Sequence, residues 1–230
     1  MSQAAILIDG GYFLKRLPSL RRDVDMSSPE SVDRCIGQLI WNHLQKLNEI
    51  SCHENALAGL YRSFFYDARP YAHKGHLPVS RRAIDYSRTR EATFRQDLFK
   101  LLRKRPNFAV RLGDVKRERA WIMREDAQRS LLDGDRQAQQ LTDEDFVPGF
   151  RQKAVDMRMG IDIASLTLKK LVGTIVLVAG DADFVPAAKL AQREGVRVVL
   201  DPLWQNVSDE LFEHIDGLWS GFPRPGNRRA

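Results

Sequence analysis

Aspartates stand at the ends of most of the apolar runs in this chain. Asp9 follows Ala4-Ala-Ile-Leu-Ile8, Asp67 follows a run ending in Phe64-Phe-Tyr66, Asp181 and Asp183 follow Thr174-Ile-Val-Leu-Val-Ala179, and Asp201 follows Val196-Arg-Val-Val-Leu200. In an open parallel sheet, ligands bind at the carboxyl ends of the strands, where a topological switch separates neighbouring crossovers. A single Asp in such a place is equally well explained as a turn residue or a helix cap. Asp183, at the start of a helix expected over Phe184 to Arg193, fits that plainer role best. Several carboxylates gathered on one edge are different, because their mutual repulsion raises their pKa values and destabilises the fold unless a cation neutralises it. Magnesium prefers oxygen ligands, usually one or two carboxylates completed by waters and substrate phosphate. An all-aspartate set without accompanying His or Cys suits that ion and not zinc.

Two more carboxylates lie in Lys153-Ala-Val-Asp-Met-Arg-Met-Gly-Ile-Asp162. Val155, Met157, Met159, Ile161 and Ile163 alternate with polar residues, which a strand would also satisfy. The apolar positions continue through Ala164, Leu168, Leu171 and Val172 at helical spacing, and a parallel strand needs a crossover before it. The helix is therefore preferred. On it Asp156 and Asp162 lie about 120° apart, so only one of them need face the sheet edge.

These residues must be held by alternating strands and helices. Ala4 to Ile8 reads as a strand buried on both faces and closed by a turn at Asp9-Gly-Gly11. A helix is expected over about Ser31 to Ile50, a strand over Leu57 to Tyr66, a helix over Ala92 to Arg103 and a short strand over Phe108 to Leu112. Strands at Thr174 to Ala179 and Val196 to Leu200 flank the helix from Phe184. The pattern predicts an α/β fold, an α/β/α sandwich around a mostly parallel sheet, as a single domain over residues 1–220. Residues from about Gly113 to Gly149 lack sustained periodicity and read as an insertion or mobile loop. The stretch 221–230, rich in Pro, Gly and Arg, is expected to be disordered.

The 230 residues hold 43% hydrophobic and 29% charged side chains and a net charge of +6, a globular balance tilted toward polyanionic partners. Cys35 and Cys52 form no metal or disulfide pattern. His43, His53, His73, His76 and His214 form no ligand spacing or triad, and there is no GxSxG or GxGxxG. No run approaches the ~20 apolar residues of a membrane span, and no secretory leader is evident. A cytoplasmic protein is expected, with monomer and homodimer both open.

The ordered set Ile8-Asp-Gly-Gly-Tyr-Phe13, Lys153-Ala-Val-Asp156 with Asp162, and Val178-Ala-Gly-Asp-Ala-Asp-Phe-Val-Pro186 resembles the NYN domain family of PIN-like nucleases, in its LabA-like branch. The resemblance implies a Rossmann-like fold and a Mg²⁺- or Mn²⁺-dependent ribonuclease. It implies that Asp9, Asp156, Asp181 and Asp183 are the catalytic, metal-binding set, with Asp162 a further metal ligand. It also exposes one departure: many relatives carry Asn shortly after the first Asp-Gly, where Gly11 and Tyr12 stand here.

Between Ser80 and Ser130 fifteen Lys and Arg face seven Asp and Glu. This surplus makes nucleic acid the expected partner, which the resemblance implies is RNA before DNA, with Arg81, Arg82, Arg88, Arg90 and Arg95, and Lys153 outside this stretch, as phosphate contacts. Tyr86, Phe94 and Trp121 are placed to stack bases, although Phe94 suits the core better. Two rival readings stand beside this one. A noncatalytic nucleic-acid-binding or partner-recruiting module would keep the same fold. A haloacid-dehalogenase-like phosphohydrolase would need a second Asp two residues after the first, where Gly11 stands.

Overall fold

A computed structural model of the chain describes residues 3–51 and 56–226. Cys52, His53 and residues 227–230 lie outside them. The elements run β1 (Ala4–Asp9), α1 (Gly10–Leu20), α2 (Pro29–Ser51), β2 (Leu60–Arg69), β3 (Lys74–His76), β4 (Ala83–Asp85), α3 (Arg90–Arg103), β5 (Phe108–Met123), α4 (Glu125–Leu132), β6 (Phe146–Lys153), α5 (Val155–Leu168), β7 (Thr174–Val178), α6 (Val185–Arg193), β8 (Arg197–Asp201), α7 (Asp209–Phe212) and β9 (Gly217–Leu218).

Seven strands form the main sheet in the order β6-β5-β2-β1-β7-β8-β9, while β3 and β4 form a separate antiparallel pair. Every neighbour in the main sheet is parallel except β6, which runs antiparallel to β5. The chain builds outward from β1 through β2 to β5, then crosses back to β7 on the other side of β1 and continues to β8. The reversal creates a switch point between β1 and β7, which is where a parallel sheet opens a crevice.

The alternation of side chains along β1 explains the two helical layers. Ile6 and Ile8 pack into a core with Phe13 and Leu17 of α1, Ile36 and Leu39 of α2, and Leu98 and Leu102 of α3. Ala5 and Leu7 face the opposite core, with Val155, Met159 and Ile163 of α5 and Ala188 and Ala191 of α6. Both faces of the strand are thereby removed from water, as a continuous apolar run requires. The expected α/β/α sandwich is present. Among the described residues, no helix is long and apolar enough to cross a membrane.

Three local expectations need correction. The Gly10-Gly11 pair is not a turn: both residues open α1, which leaves β1 without a connecting loop. A Cβ at Gly10 would lie 2.5 Å from the Phe65 ring and 2.7 Å from the Tyr66 carbonyl oxygen, so glycine is needed for the helix to start against β2. The stretch 113–149 is not a loop, because β5 runs on to Met123, α4 follows, and β6 returns along β5 from Met123–Phe146 to Asp114–Lys153. Its irregular pattern reflects a two-stranded arm with two breaks in register, one between Arg117 and Arg119 and one between Arg119 and Trp121.

Residues 221–226 are likewise not free. Phe222 is buried in the α1–α2 core, and Trp204 Nε1 donates to its carbonyl at 2.9 Å. Asn42 Nδ2 donates to the Gly221 carbonyl at 2.6 Å, and the Gly221 N–H donates to Asp201 Oδ2 at 2.9 Å. Phe222→Ala should therefore cost about 3–5 kcal/mol, the usual price of emptying an aromatic core position. Urea unfolding checks this, and a loss under about 1 kcal/mol would return the segment to the status of a loose tail.

Candidate functional site

Four of the sequence-selected aspartates lie around the switch point, at the ends of β1 and β7 and the start of α5. Asp9 ends β1, and its carboxylate accepts the Tyr12 N–H at 3.0 Å, capping α1. Asp156 stands in the first turn of α5, two residues after Ala154, whose left-handed backbone (φ 65°) ends the approach from β6. Asp181 and Asp183 lie in the short turn that joins β7 to α6, and Asp181 Oδ1 accepts the Asp183 N–H at 3.1 Å. The capping role expected of Asp183 thus belongs to Asp181, and both side chains are exposed.

Electrostatics tie the four together. Burial pushes the Asp9 carboxyl up from its ordinary 3.8 to about 6, against the pull of the Tyr12 N–H, and Asp156 and Asp67 push it further the same way. Asp156 is raised first by burial and then by Asp181 and Asp183. Among the described residues, none of the four forms an ion pair with Lys, Arg or His.

The remaining acids are already answered by the protein. Asp67 is fully buried and clamped by Arg95 Nη1, which opposes the upward push of burial on its pKa. Asp201, also fully buried, meets His43 Nε2 at 2.8 Å and accepts the N–H groups of Leu203 and Gly221. Asp162 accepts from Tyr66 Oη at 2.8 Å and from Arg111 Nε at 3.0 Å, so its carboxylate faces the sheet and not the quartet. It leaves the set of expected metal ligands for that reason.

The donor set suits a hard cation that keeps most of its water. Among the described residues, no three His, Cys, Asp or Glu side chains are grouped closely enough to hold an ion alone. Magnesium is commonly held by one or two carboxylates, with waters and substrate oxygens in the other positions. Asp9 and Asp156, each raised first by burial and then by neighbouring carboxylates, are the side chains that a nearby cation would relieve most.

The expected phosphate contacts divide. Arg95 is committed to Asp67 and is withdrawn from the set. Arg88 pairs with Asp85 at 3.7 Å and Lys153 with Glu118 at 2.9 Å, both exposed pairs that exchange easily with solvent or ligand. Arg81, Arg82 and Arg90 are exposed and enter no ion pair among the described residues. The basic surplus does not form one face: Arg105 turns to Asp33 near α2 and Arg111 to Asp162. Phe94 packs on the core, and Tyr86 is buried.

Tyr12 and Gln152 were not anticipated. The Tyr12 ring occupies the place that a side chain at Gly180 would need, since a Cβ there would fall 2.5 Å from the ring, and its hydroxyl donates to the Pro202 carbonyl at 2.5 Å. Tyr12 thereby ties α1 to the ends of β7 and β8 beside the acids. At Gly11 a Cβ would sit 3.5 Å from Asp9 Oδ1 and 3.9 Å from Gln152 Oε1, so the missing side chain leaves Asp9 open toward β6. The Gly-Asp pair after β7 was the only sequence signal for the first contact, and nothing in the sequence placed Gln152.

A model of the NYN domain family matches residues 65–216, and the chain belongs to that family, a family of PIN-like nucleases. Comparison with curated proteins and with solved structures gave no match. The matched segment contains Asp156, Asp181 and Asp183. Asp9 lies before it and joins the group through the β1–β7 pairing, which sets Ile8 opposite Val178.

The raised Asp9 carboxyl has a measurable consequence. A carboxyl whose pKa is higher in the folded state than in the unfolded one opposes folding once ionised, so the penalty grows from about pH 4 to pH 6 and is complete above. In metal-free buffer Asp9→Asn, which keeps a capping oxygen, should be favoured over the parent by up to about 3 kcal/mol at pH 7 and by little at pH 4. Urea midpoints across that range test it, and a stability difference independent of pH would contradict the burial of this acid.

Proposed function

We propose that the chain is a divalent-metal-dependent nuclease that hydrolyses phosphodiester bonds in RNA, with Asp9, Asp156, Asp181 and Asp183 as its catalytic acids. The observation that carries this reading is the contrast among carboxylates on one sheet edge. Asp67, Asp162 and Asp201 are each given a partner by the protein, whereas the other four have no ion-pair partner among the described residues, and Asp156 interacts unfavourably with Asp9, Asp181 and Asp183, with raised pKa values at Asp9 and Asp156. A fold that needed only stability would gain by neutralising them.

Bound Mg²⁺ or Mn²⁺ would supply charge stabilisation on the phosphoryl oxygens and activate water. Asp9 and Asp156 are assigned to hold the ion, and Asp181 and Asp183 to hold it through water or to orient the attacking water. Asp181 is fixed for this by its own turn, since one carboxylate oxygen is occupied by the Asp183 N–H while the other remains outward. Tyr12 keeps α1 against the ends of β7 and β8, which holds Asp9 in place beside the turn that carries Asp181. Arg81, Arg82 and Arg90 are assigned to the RNA backbone, with Arg88 and Lys153 joining when their exposed carboxylate partners give way.

The wide spacing of the acids is the observation that favours a noncatalytic nucleic-acid-binding module on the same fold. Turnover separates the two. Labelled single-stranded RNA, duplex RNA and DNA should be incubated with the protein in Mg²⁺, Mn²⁺ or EDTA. RNA cleavage should appear with either metal and stop in chelator. Asp9→Asn and Asp181→Asn should each lower the rate on the order of 100-fold or more while the protein stays folded. Asp162→Asn should act mainly through stability, because its partners are Tyr66 and Arg111. Undiminished cleavage in EDTA would remove the metal from the mechanism, and near-parental rates in both variants would move the site elsewhere.

A further inference from the structure

A cleft of about 460 Å³ lies between the β3–β4 pair, the start of α3 and the β5–β6 arm. Its walls are aromatic: Tyr71, Tyr86 and Phe150 pack at centroid distances of 4.7–5.4 Å, and Trp121 and Phe146 extend the surface. The volume falls in the range of about 300–1,000 Å³ that holds small organic ligands. The Tyr86 hydroxyl is buried and has no hydrogen-bond partner among the described residues, a costly state for a group that can both donate and accept.

The cleft adjoins the acidic centre. Gln152 lines it and also stands beside the open position at Gly11, next to Asp9. Ala68 and Arg95 line it on the β2 side, one following Asp67 in the chain and the other clamping it.

Charge narrows the choice of occupant. Glu91 and Asp143 are both in the wall, and its Arg95 is already paired with Asp67 and Glu91, so a phosphate would gain little there, whereas a neutral, planar, hydrogen-bonding ring would not be repelled. An aliphatic side chain of a partner protein would leave the Tyr86 hydroxyl unsatisfied. Glu91 is shared with an adjacent groove that contains Arg88 and Arg90, which places positive charge where a backbone leaving the cleft would run.

We propose that this cleft takes one unpaired nucleobase of the substrate strand, next to the phosphate held at the acidic centre. The proposal rests on nucleic acid being the substrate and makes that substrate single-stranded, because a base paired in a duplex cannot present its face to Tyr71 and Trp121. Tyr71, Trp121 and Phe150 supply the stacking surface, and Tyr86 Oη supplies a hydrogen bond to the edge of the ring.

The test is binding, so that it stands apart from turnover. The Asp181→Asn full chain is titrated, by fluorescence anisotropy in Mg²⁺, against a single-stranded RNA 8-mer and a series in which one abasic ribose is moved through the sequence. Removing the base at one position should weaken binding roughly 5- to 100-fold, with little effect at the others. Adding Tyr71→Leu should abolish that position dependence and weaken the intact strand by a similar factor. Adding Tyr86→Phe, which keeps the ring, should weaken it roughly 3- to 10-fold.

Should Tyr71→Leu lose its fold by thermal melting, Trp121→Leu on the other part of the wall serves the same purpose. A flat abasic profile, no binding, or a duplex bound as tightly as the single strand would each overturn the proposal. So would a self-association, seen by sedimentation, that Tyr71→Leu abolishes. Cleavage by the parent protein with a flat profile would remove the base cleft and keep the nuclease. A position-dependent profile without cleavage would do the reverse.

Discussion

The strand at the centre of the sheet has no free side. β1 is hydrogen-bonded in parallel to β2 on one edge and to β7 on the other, and Ala5, Ile6, Leu7 and Ile8 are all fully buried. A strand in that position must be covered by helices above and below, which parallel crossovers supply. It must also be the point at which the crossovers change direction, since its two neighbours are reached from opposite sides. The first polar residue after it has one place to go, the crevice where the sheet splits. Asp9 is at once the end of the core, the cap of α1 and the innermost member of an acidic group.

That geometry sorts the aspartates by what the surrounding protein does with their charge. Asp67 and Asp201, one strand away on either side of the central β1–β7 pair, are fully buried and answered by Arg95 and by His43 with two backbone N–H groups. These two fasten α3 and α2 to the sheet, and Asp201 also fixes the segment that leads to Phe222. Asp162, held by Tyr66 and Arg111, fastens α5. Asp9, Asp156, Asp181 and Asp183, between them in the sheet order, form no ion pair among the described residues. Partnered and unpartnered carboxylates are thus interleaved along a single edge.

Much of the scaffold was legible because burial on both faces leaves a strong mark on sequence. The runs ending in Asp9 and Ala179, and the helical spacing beyond Val155, predicted β1, β7 and α5 correctly. The Asp156–Asp162 angle on a helix correctly implied that the two acids look in different directions. What was not legible involved long-range partners. Nothing local announces that Arg95, in the middle of α3, turns inward to Asp67, or that Asp201 belongs to His43, 158 residues away. The β5–β6 arm escaped notice because one of its faces is solvated and two register shifts interrupt its alternation. The Pro, Gly and Arg content of residues 221–226 pointed to disorder, but one phenylalanine with a prepared socket outweighs composition.

The β1–β7 pairing also dictates an order of assembly. β1, β2 and β5 follow one another in the chain and can associate early, whereas β7 lies about 170 residues after β1, at Ala4 opposite Thr174. Closing so long a loop is slow, because its entropy is lost before the contacts that reward it are made. Until it closes, β1 offers an unpaired hydrogen-bonding edge, a template for pairing with other chains. In that interval Asp9 sits on one half of the fold while Asp181 and Asp183 remain on the unattached half. The acidic group is therefore a late product of folding, and a chain caught before β7 docks is sticky and has yet to bring these acids together.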